Sequence, residues 1–414
     1  MTKRFELFLF FILSFSFMHA VLRLSSTSPI SLYRIFIPII LLIFMFQYKK
    51  SLIPFMILSF LLLYNFLLTY FYCGCYKHYI QFSFHYISIF TIFLIVYYLL
   101  EKIKFSKIYN FMYSFLIFML IIAIFEIIFN FRLPNVALYY DGSVSAFNWT
   151  QNEFTTAQLG FIPFLLVLEK RLYIKIPLIT FILYLSFFIN DSKIGFIGIF
   201  IAIIIYILKS FFIKNKYIKL IVLGILILLI PILIIIPYNE IIIHFRNDEI
   251  SLFNLFIDPI IRIFTFTPYL STGGSIFDRV DGAIYAIINL IDSNMFGIGI
   301  GNTYTMLQTD TYKLATAESI HNLPLQLIVE NGIFMLFVMI YLIYYFLKLL
   351  WKQTVNEYEM IQLIAIPSFL IGSLSSSGGI FSNYYFIVCT ILIILLNNKV
   401  NQNLDIGKNN EIKK

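Results

Sequence analysis

Long apolar runs, separated by short polar stretches, recur from one end of this 414-residue chain to the other. Roughly twenty consecutive apolar residues cross the hydrocarbon core of a bilayer as a helix, so runs of this length predict membrane-spanning helices. About twelve can be drawn: 5–22, 33–48, 52–72, 84–100, 109–129, 154–168, 173–190, 194–212, 217–237, 322–347, 359–374 and 382–397. Apolar residues run all round each helix, as lipid-embedded segments require. The pattern predicts an all-α polytopic membrane protein. Helices one to nine fill 1–237, a long loop takes 238–321, the last three spans take 322–397, and 398–414 is a tail.

Composition agrees. With 61% hydrophobic and 12% charged residues and a mean hydropathy of +0.91, the chain lacks the charge a soluble domain needs at its surface. Met1 to Arg4 followed by an apolar run to Val21 has the outline of a signal peptide, but Met18-His19-Ala20 is a poor cleavage site. The expectation is a retained first helix. Cys73, Cys75 and Cys389 form neither a disulfide framework nor a zinc pattern.

Charge adds orientation. With the N-terminus inside, most basic residues collect on cytoplasmic segments, among them Lys49, Lys50, Lys102, Lys170, Arg171, Lys209, Lys348 and Lys352. The others are Arg23, Arg34, Lys77, Arg132, Lys193, Arg246, Arg262, Arg279 and Lys313. Both termini are then cytoplasmic. The net charge of +8 mostly reflects this orientation signal, so it does not point to nucleic acid. The long loop faces outside, and it holds Arg246, Arg262 and Arg279, the only arginines after residue 172. Long loops without repeats tend to be functional.

Within that loop, 275–294 reads as an amphipathic helix lying on the membrane surface. Ser275 and Asp278 form a capping-box pattern, and Phe277, Val280, Ile284, Ile287 and Ile291 recur at helical spacing. Asp281, Tyr285 and Asn289 sit between them. Arg279, Ala283 and Ala286 form a narrow stripe in which small residues leave room for a bulky anion to reach the guanidinium, whose planar fork suits phosphate. An ordinary surface pairing of Arg279 with Asp278 fits the same pattern. Residues 296–302, Phe-Gly-Ile-Gly-Ile-Gly-Asn, match neither a Walker A loop nor a Rossmann turn. Gly299 and Gly301 instead predict backbone that approaches a ligand or a helix closely.

His321 is one of five histidines. Asn322 can cap the helix that follows, and Pro324 suits its first turn. His321 therefore stands outside the positive end of a helix dipole, which disfavours imidazolium and attracts phosphate. A capping or packing histidine is the plain alternative. Glu330, nine residues on, falls on roughly the opposite helix face and reads as a paired or protonated supporting residue.

These landmarks together resemble the O-antigen polymerase and O-antigen ligase superfamily of bacterial membrane glycosyltransferases. The likeness rests on Arg279 opening a helix, Gly297 to Gly301, His321-Asn322, and Glu330-Asn331-Gly332. Weaker matches are Gln151-Asn152-Glu153 before the sixth span and Asp191-Ser192-Lys193 before the eighth, where lysine replaces the family's arginine and loses its fork. The likeness covers about 150–345. It implies sugar transfer from undecaprenyl-diphosphate-linked oligosaccharide at the outer face of the bacterial cytoplasmic membrane. It also implies a chain-length regulator and a flippase as partners beside membrane lipid. On this likeness His321 is the general base and Arg279, with Arg262, Arg246 and Lys193, holds the diphosphate; Asn152, Asn322 and Glu330 support. The outer segments carry no Asp-x-Asp, so no metal and no cofactor is expected.

The expected activity is polymerisation of polysaccharide repeat units. A ligase would use the same residues with a different acceptor. A transporter is the alternative from another class, although it would usually carry more ionisable residues at mid-membrane than Glu126 and Glu330.

Overall fold

The computed structural model describes residues 3–23, 31–72, 76–136, 142–190, 192–211, 258–267, 275–307, 320, 322–373 and 383–396. At 193, 194, 211, 258–260, 275–279, 306 and 307 only the backbone is described. Among these residues every regular element is helical, apart from one isolated bridge between Arg23 and Ser31. The helices are α1 (Lys3–Phe17), α2 (Leu32–Gln47), α3 (Leu52–Tyr72), α4 (Tyr76–Lys102), α5 (Phe105–Phe129), α6 (Gln151–Leu168), α7 (Leu172–Tyr184) and α8 (Lys193–Phe211). After them come α9 (Asp258–Thr265), α10 (Ser275–Asp292), α11 (Asn302–Leu307), α12 (Leu323–Asn331), α13 (Ile333–Trp351), α14 (Glu357–Gly372) and α15 (Tyr384–Leu395).

The protein is a polytopic helical membrane protein. Among the described residues five helical stretches are long and apolar enough to cross a bilayer: Lys49–Tyr72, Tyr76–Lys102, Phe105–Phe129, Leu172–Ile189 and Ile333–Trp351. Several expected spans change shape. The first ends in turns after Phe17, and the fourth begins at Tyr76 rather than 84. The segment 322–347 is not one helix, because it breaks at Gly332 into α12 and α13. The span expected at 217–237 and the tail lie outside the described residues, as do Cys73 and Cys75; Cys389 is a buried free thiol. The stretch expected as a long loop contains α9, α10 and α11.

Helix α6 is the hub. Nearly every residue from Gln151 to Val167 is buried, against α8, α14 and α15. The sequence gives it the apolar look of a lipid-facing span, but its environment is other helices, and Thr155, Thr156 and Gln158 are buried with it. Lipid-type surfaces belong instead to α3 and α13, where Met56, Phe60, Phe337 and Tyr341 are exposed.

The two ends of the bundle differ in chemistry. One end gathers the basic turns: Lys50 pairs with Glu101, Lys170 with Glu357 at 2.6 Å, and Lys352 with Glu359 at 2.5 Å. There Lys209 Nζ donates to the carbonyls of Leu350 at 3.2 Å and Lys352 at 2.7 Å, capping the C-terminus of α13. The other end joins α1 to α2, α3 to α4 and α5 to α6, and carries α10, α11 and α12.

Candidate functional site

The glycine-rich stretch and the break in the span are one construction. The last carbonyls of a helix have no partner within it. Here Ile298 N–H donates to Val329 O at 3.0 Å and Gly299 N–H to Glu330 O at 2.9 Å, while Ile333 N–H donates to Met295 O at 2.8 Å. The stretch thus satisfies the end of α12 and the start of α13. This contact needs Gly332, whose φ is +67°, and a Cβ there would stand 2.2 Å from the Phe296 carbonyl. The close approach expected of Gly299 and Gly301 is therefore made to helices.

Helix α3 holds the stretch from the other side. Asn65 Oδ1 accepts from Ile300 N–H at 2.9 Å, its Nδ2 donates to Asn331 Oδ1 at 3.2 Å, and Thr69 Oγ1 accepts from Asn302 Nδ2 at 2.9 Å. Tyr64 and Tyr72 hydroxyls donate to the carbonyls of Phe296 and Ser293. These α3 residues were absent from the sequence-based site. Asn65, Thr69 and Tyr72 share one face at i, i+4 and i+7, the signal that could have marked them.

Glu330 is buried beneath this construction. Its Oε1 accepts from Thr303 Oγ1 at 2.6 Å and from Gln326 Nε2 at 2.9 Å. The carboxylate ties α12 to α11, which fits a supporting role. Asn322 caps α12 as expected, its side chain accepting from Leu325 N–H at 3.1 Å.

Helix α10 is not a simple surface helix. Val280 and Ile284 pack towards α9, whereas Tyr285, Ala286 and Leu290 pack with Ile298, Ile320 and Val329. Ile291, on the apolar stripe expected to face the membrane, is exposed, whereas Asp281, expected among the polar positions, is buried. The helix is wedged between two neighbours, so a single stripe could not describe it. Ala286, expected to leave room for an anion, is used for packing.

The wedge also includes Ile320. A Cβ on Gly282 would lie 3.5 Å from Ile320 Cα, so the backbone beside position 321 rests on α10 one turn beyond Arg279. His321 and Arg246 themselves lie outside the described residues, as does the side chain of Arg279. Arg262 is half-buried in the last turn of α9, next to α10. Lys193 opens α8, its side chain outside the description. Asn152 is exposed in the first turn of α6 and not in a loop; Thr150 is the N-cap, accepting from Glu153 N–H at 3.2 Å.

Two further polar groups stand at this end. Glu126 is buried, accepts from the N–H groups of Ser145 at 2.9 Å and Ala146 at 3.1 Å, and lies 3.6 Å from Arg132. Arg23 and Arg34 gather beside His85, Tyr384 and Glu153. Among the described residues no group of three His, Cys, Asp or Glu could hold a metal ion.

No curated protein and no solved structure matches the chain. The model of the O-antigen ligase family matches residues 178–340, the stretch that runs from α7 through the glycine-rich crossing into α13. Over that stretch the chain is similar to the O-antigen ligase family, which supports its resemblance to the O-antigen ligase and polymerase superfamily.

Proposed function

We propose that the protein is a polysaccharide polymerase acting at the outer face of the cytoplasmic membrane. It joins one undecaprenyl-diphosphate-linked oligosaccharide to a sugar hydroxyl of another. The observation that supports this reading is the packing of Ile320, the residue before His321 in sequence, on Gly282, three residues after Arg279. His321 takes the proton from the acceptor hydroxyl as the new glycosidic C–O bond forms. The bond between the anomeric carbon and the diphosphate oxygen breaks, and Arg279, with Arg262 and Arg246, meets the charge that develops on the leaving diphosphate. The Asn322 cap fixes the start of α12, and Glu330 fixes its far end against α11.

The matched family is described as a ligase, which favours a second reading: transfer of the finished glycan to a lipid core or to protein with the same residues. Polysaccharide from cells carrying His321→Ala, at normal protein level, decides both points. Single repeats attached to the surface identify a polymerase, and unattached lipid-linked polymer identifies a ligase. Long attached chains would overturn the assignment of His321.

A further inference from the structure

A pair of arginines stands beside α4, Arg23 from the α1–α2 connection and Arg34 from the first turn of α2. Arg23 lies within that connection, its backbone fixed by the bridge to Ser31 and by Asn135 Nδ2, which donates to the Arg23 carbonyl at 3.0 Å. Its Cζ lies 4.2 Å over the ring of Trp149, one of two tryptophans in the chain. A guanidinium held over an aromatic ring keeps its donors in a fixed plane, the arrangement that suits a bidentate oxyanion. Arg23 Nε is buried and has no hydrogen-bond partner among the described residues.

Arg34, in the first turn of α2, is positioned from the other side. Its Nη2 lies 3.0 Å from His85 Nδ1 and 3.3 Å from the Tyr384 hydroxyl. The charged groups facing Arg23 among the described residues are Arg34 and the buried carboxylate of Glu153, which accepts from Trp149 N–H at 3.1 Å. Two guanidinium groups are thus brought together at the end of the bundle where α3 meets the glycine-rich stretch. His85 also contacts Phe82, which stacks towards Tyr304 of α11 at a centroid distance of 5.3 Å.

Polymerisation joins two lipid-linked substrates, and each carries its own diphosphate. On the polymerase reading, one cationic site leaves the second carrier without a counter-charge. We propose that Arg23 and Arg34 form a second site for a lipid-borne phosphate, and that its occupant is the diphosphate carrier of the acceptor. This assignment of the occupant rests on the polymerase reading; the oxyanion site rests on the arginine geometry alone.

The test is native mass spectrometry of the full chain in nanodiscs titrated with undecaprenyl diphosphate, with phosphatidylglycerol as competitor. Wild type binds two carriers, Arg23→Gln binds one with the other lost or weakened at least about 10-fold, and Arg279→Ala retains the Arg23 site. Arg23→Lys, which keeps the charge and removes the fork, weakens binding less than Arg23→Gln. Unchanged thermal melting of each variant excludes a folding defect. A single carrier bound equally by wild type and Arg23→Gln overturns the proposal. Equal displacement by phosphatidylglycerol at the Arg23 site overturns the carrier as occupant. Loss at Arg23 with no effect at Arg279 supports this site and removes the first.

Discussion

Glu330 on α12 and Thr303 on α11 are joined by a 2.6 Å hydrogen bond in the buried interior, and Gln326 adds a second donor to the same carboxylate oxygen. Removing the acceptor strands both donors, and an unpaired buried donor costs about 1–3 kcal/mol. Glu330→Ala is therefore expected to lower the melting temperature in detergent more than Thr303→Val, which removes one donor and leaves Gln326 in place. Equal melting of all three proteins would show that the carboxylate does not brace this region.

Gly332 and Gly142 separate backbone strain from collision. Both have positive φ, +67° and +83°, but a Cβ on Gly332 meets the Phe296 carbonyl at 2.2 Å whereas one on Gly142 meets nothing within 4 Å among the described residues. Gly142→Ala is expected to cost about 1–2 kcal/mol from the left-handed conformation alone. Gly332→Ala adds the displacement of the glycine-rich stretch and should melt markedly lower. The comparison is made by thermal unfolding of the two purified variants; the reverse order would sink the crossing as a structural keystone.

Some helix boundaries were legible from the apolar runs: α2 starts and stops within a residue of its expected limits, and α3 and α8 start within one. The break at Gly332 was not, since apolar residues continue on both sides of Glu330-Asn331-Gly332 and hydropathy does not register a turn. The position of α6 was hidden for a related reason, as an apolar helix reads alike against lipid or other helices. Asp281 and Tyr285 were misplaced because a helix wedged between two partners buries more than one stripe. The neighbourhood of Arg279 and His321 was reached only through a motif likeness. Their separation in sequence leaves no local periodicity to read, and the contact described beside them is that of Ile320 with Gly282.

Sidedness gives a third prediction. The positive-inside rule puts the Lys170 turn in the cytoplasm and Gly142 outside. In a background with Cys73, Cys75 and Cys389 replaced by alanine, Lys170→Cys should react with an impermeant maleimide only after permeabilisation. Gly142→Cys should react in intact cells. Lys170 makes an exposed ion pair with Glu357 and a 3.3 Å bond to the Val167 carbonyl, so its loss should perturb the fold little. The opposite labelling pattern would place the candidate site in the cytoplasm and end the present reading.

The turn between α6 and α7 carries a pH signature. Arg171 donates from Nε and Nη2 to the two oxygens of Glu169, each at 2.9 Å, and its backbone N–H adds a third bond. This fork holds the Glu169 carboxyl below its ordinary value. A carboxyl depressed by folding stabilises above its unfolded pKa and loses that contribution as pH falls through the folded value. The melting temperature of wild type should exceed that of Glu169→Gln at neutral pH, and the difference should close through the carboxylate range. A difference that is constant with pH would mean the fork acts by shape alone.

Arg279 supplies the most demanding test of the chemistry. If it meets charge on a leaving diphosphate, its contribution appears in the transition state, and losing such a donor typically lowers turnover by about 10²–10³-fold. Arg279→Ala should then lower the rate of repeat transfer from synthetic lipid-linked oligosaccharide by roughly that factor, with a smaller change in the substrate concentration needed for half-maximal rate. Arg279→Lys should fall between the two, because charge is retained and the two-pronged geometry is not. Arg262→Ala, on the neighbouring helix, should lose less than Arg279→Ala. A variant at 279 that raises only the half-saturating concentration would make the arginine a binding group for the ground state, and His321 would then have to account for the chemistry without it.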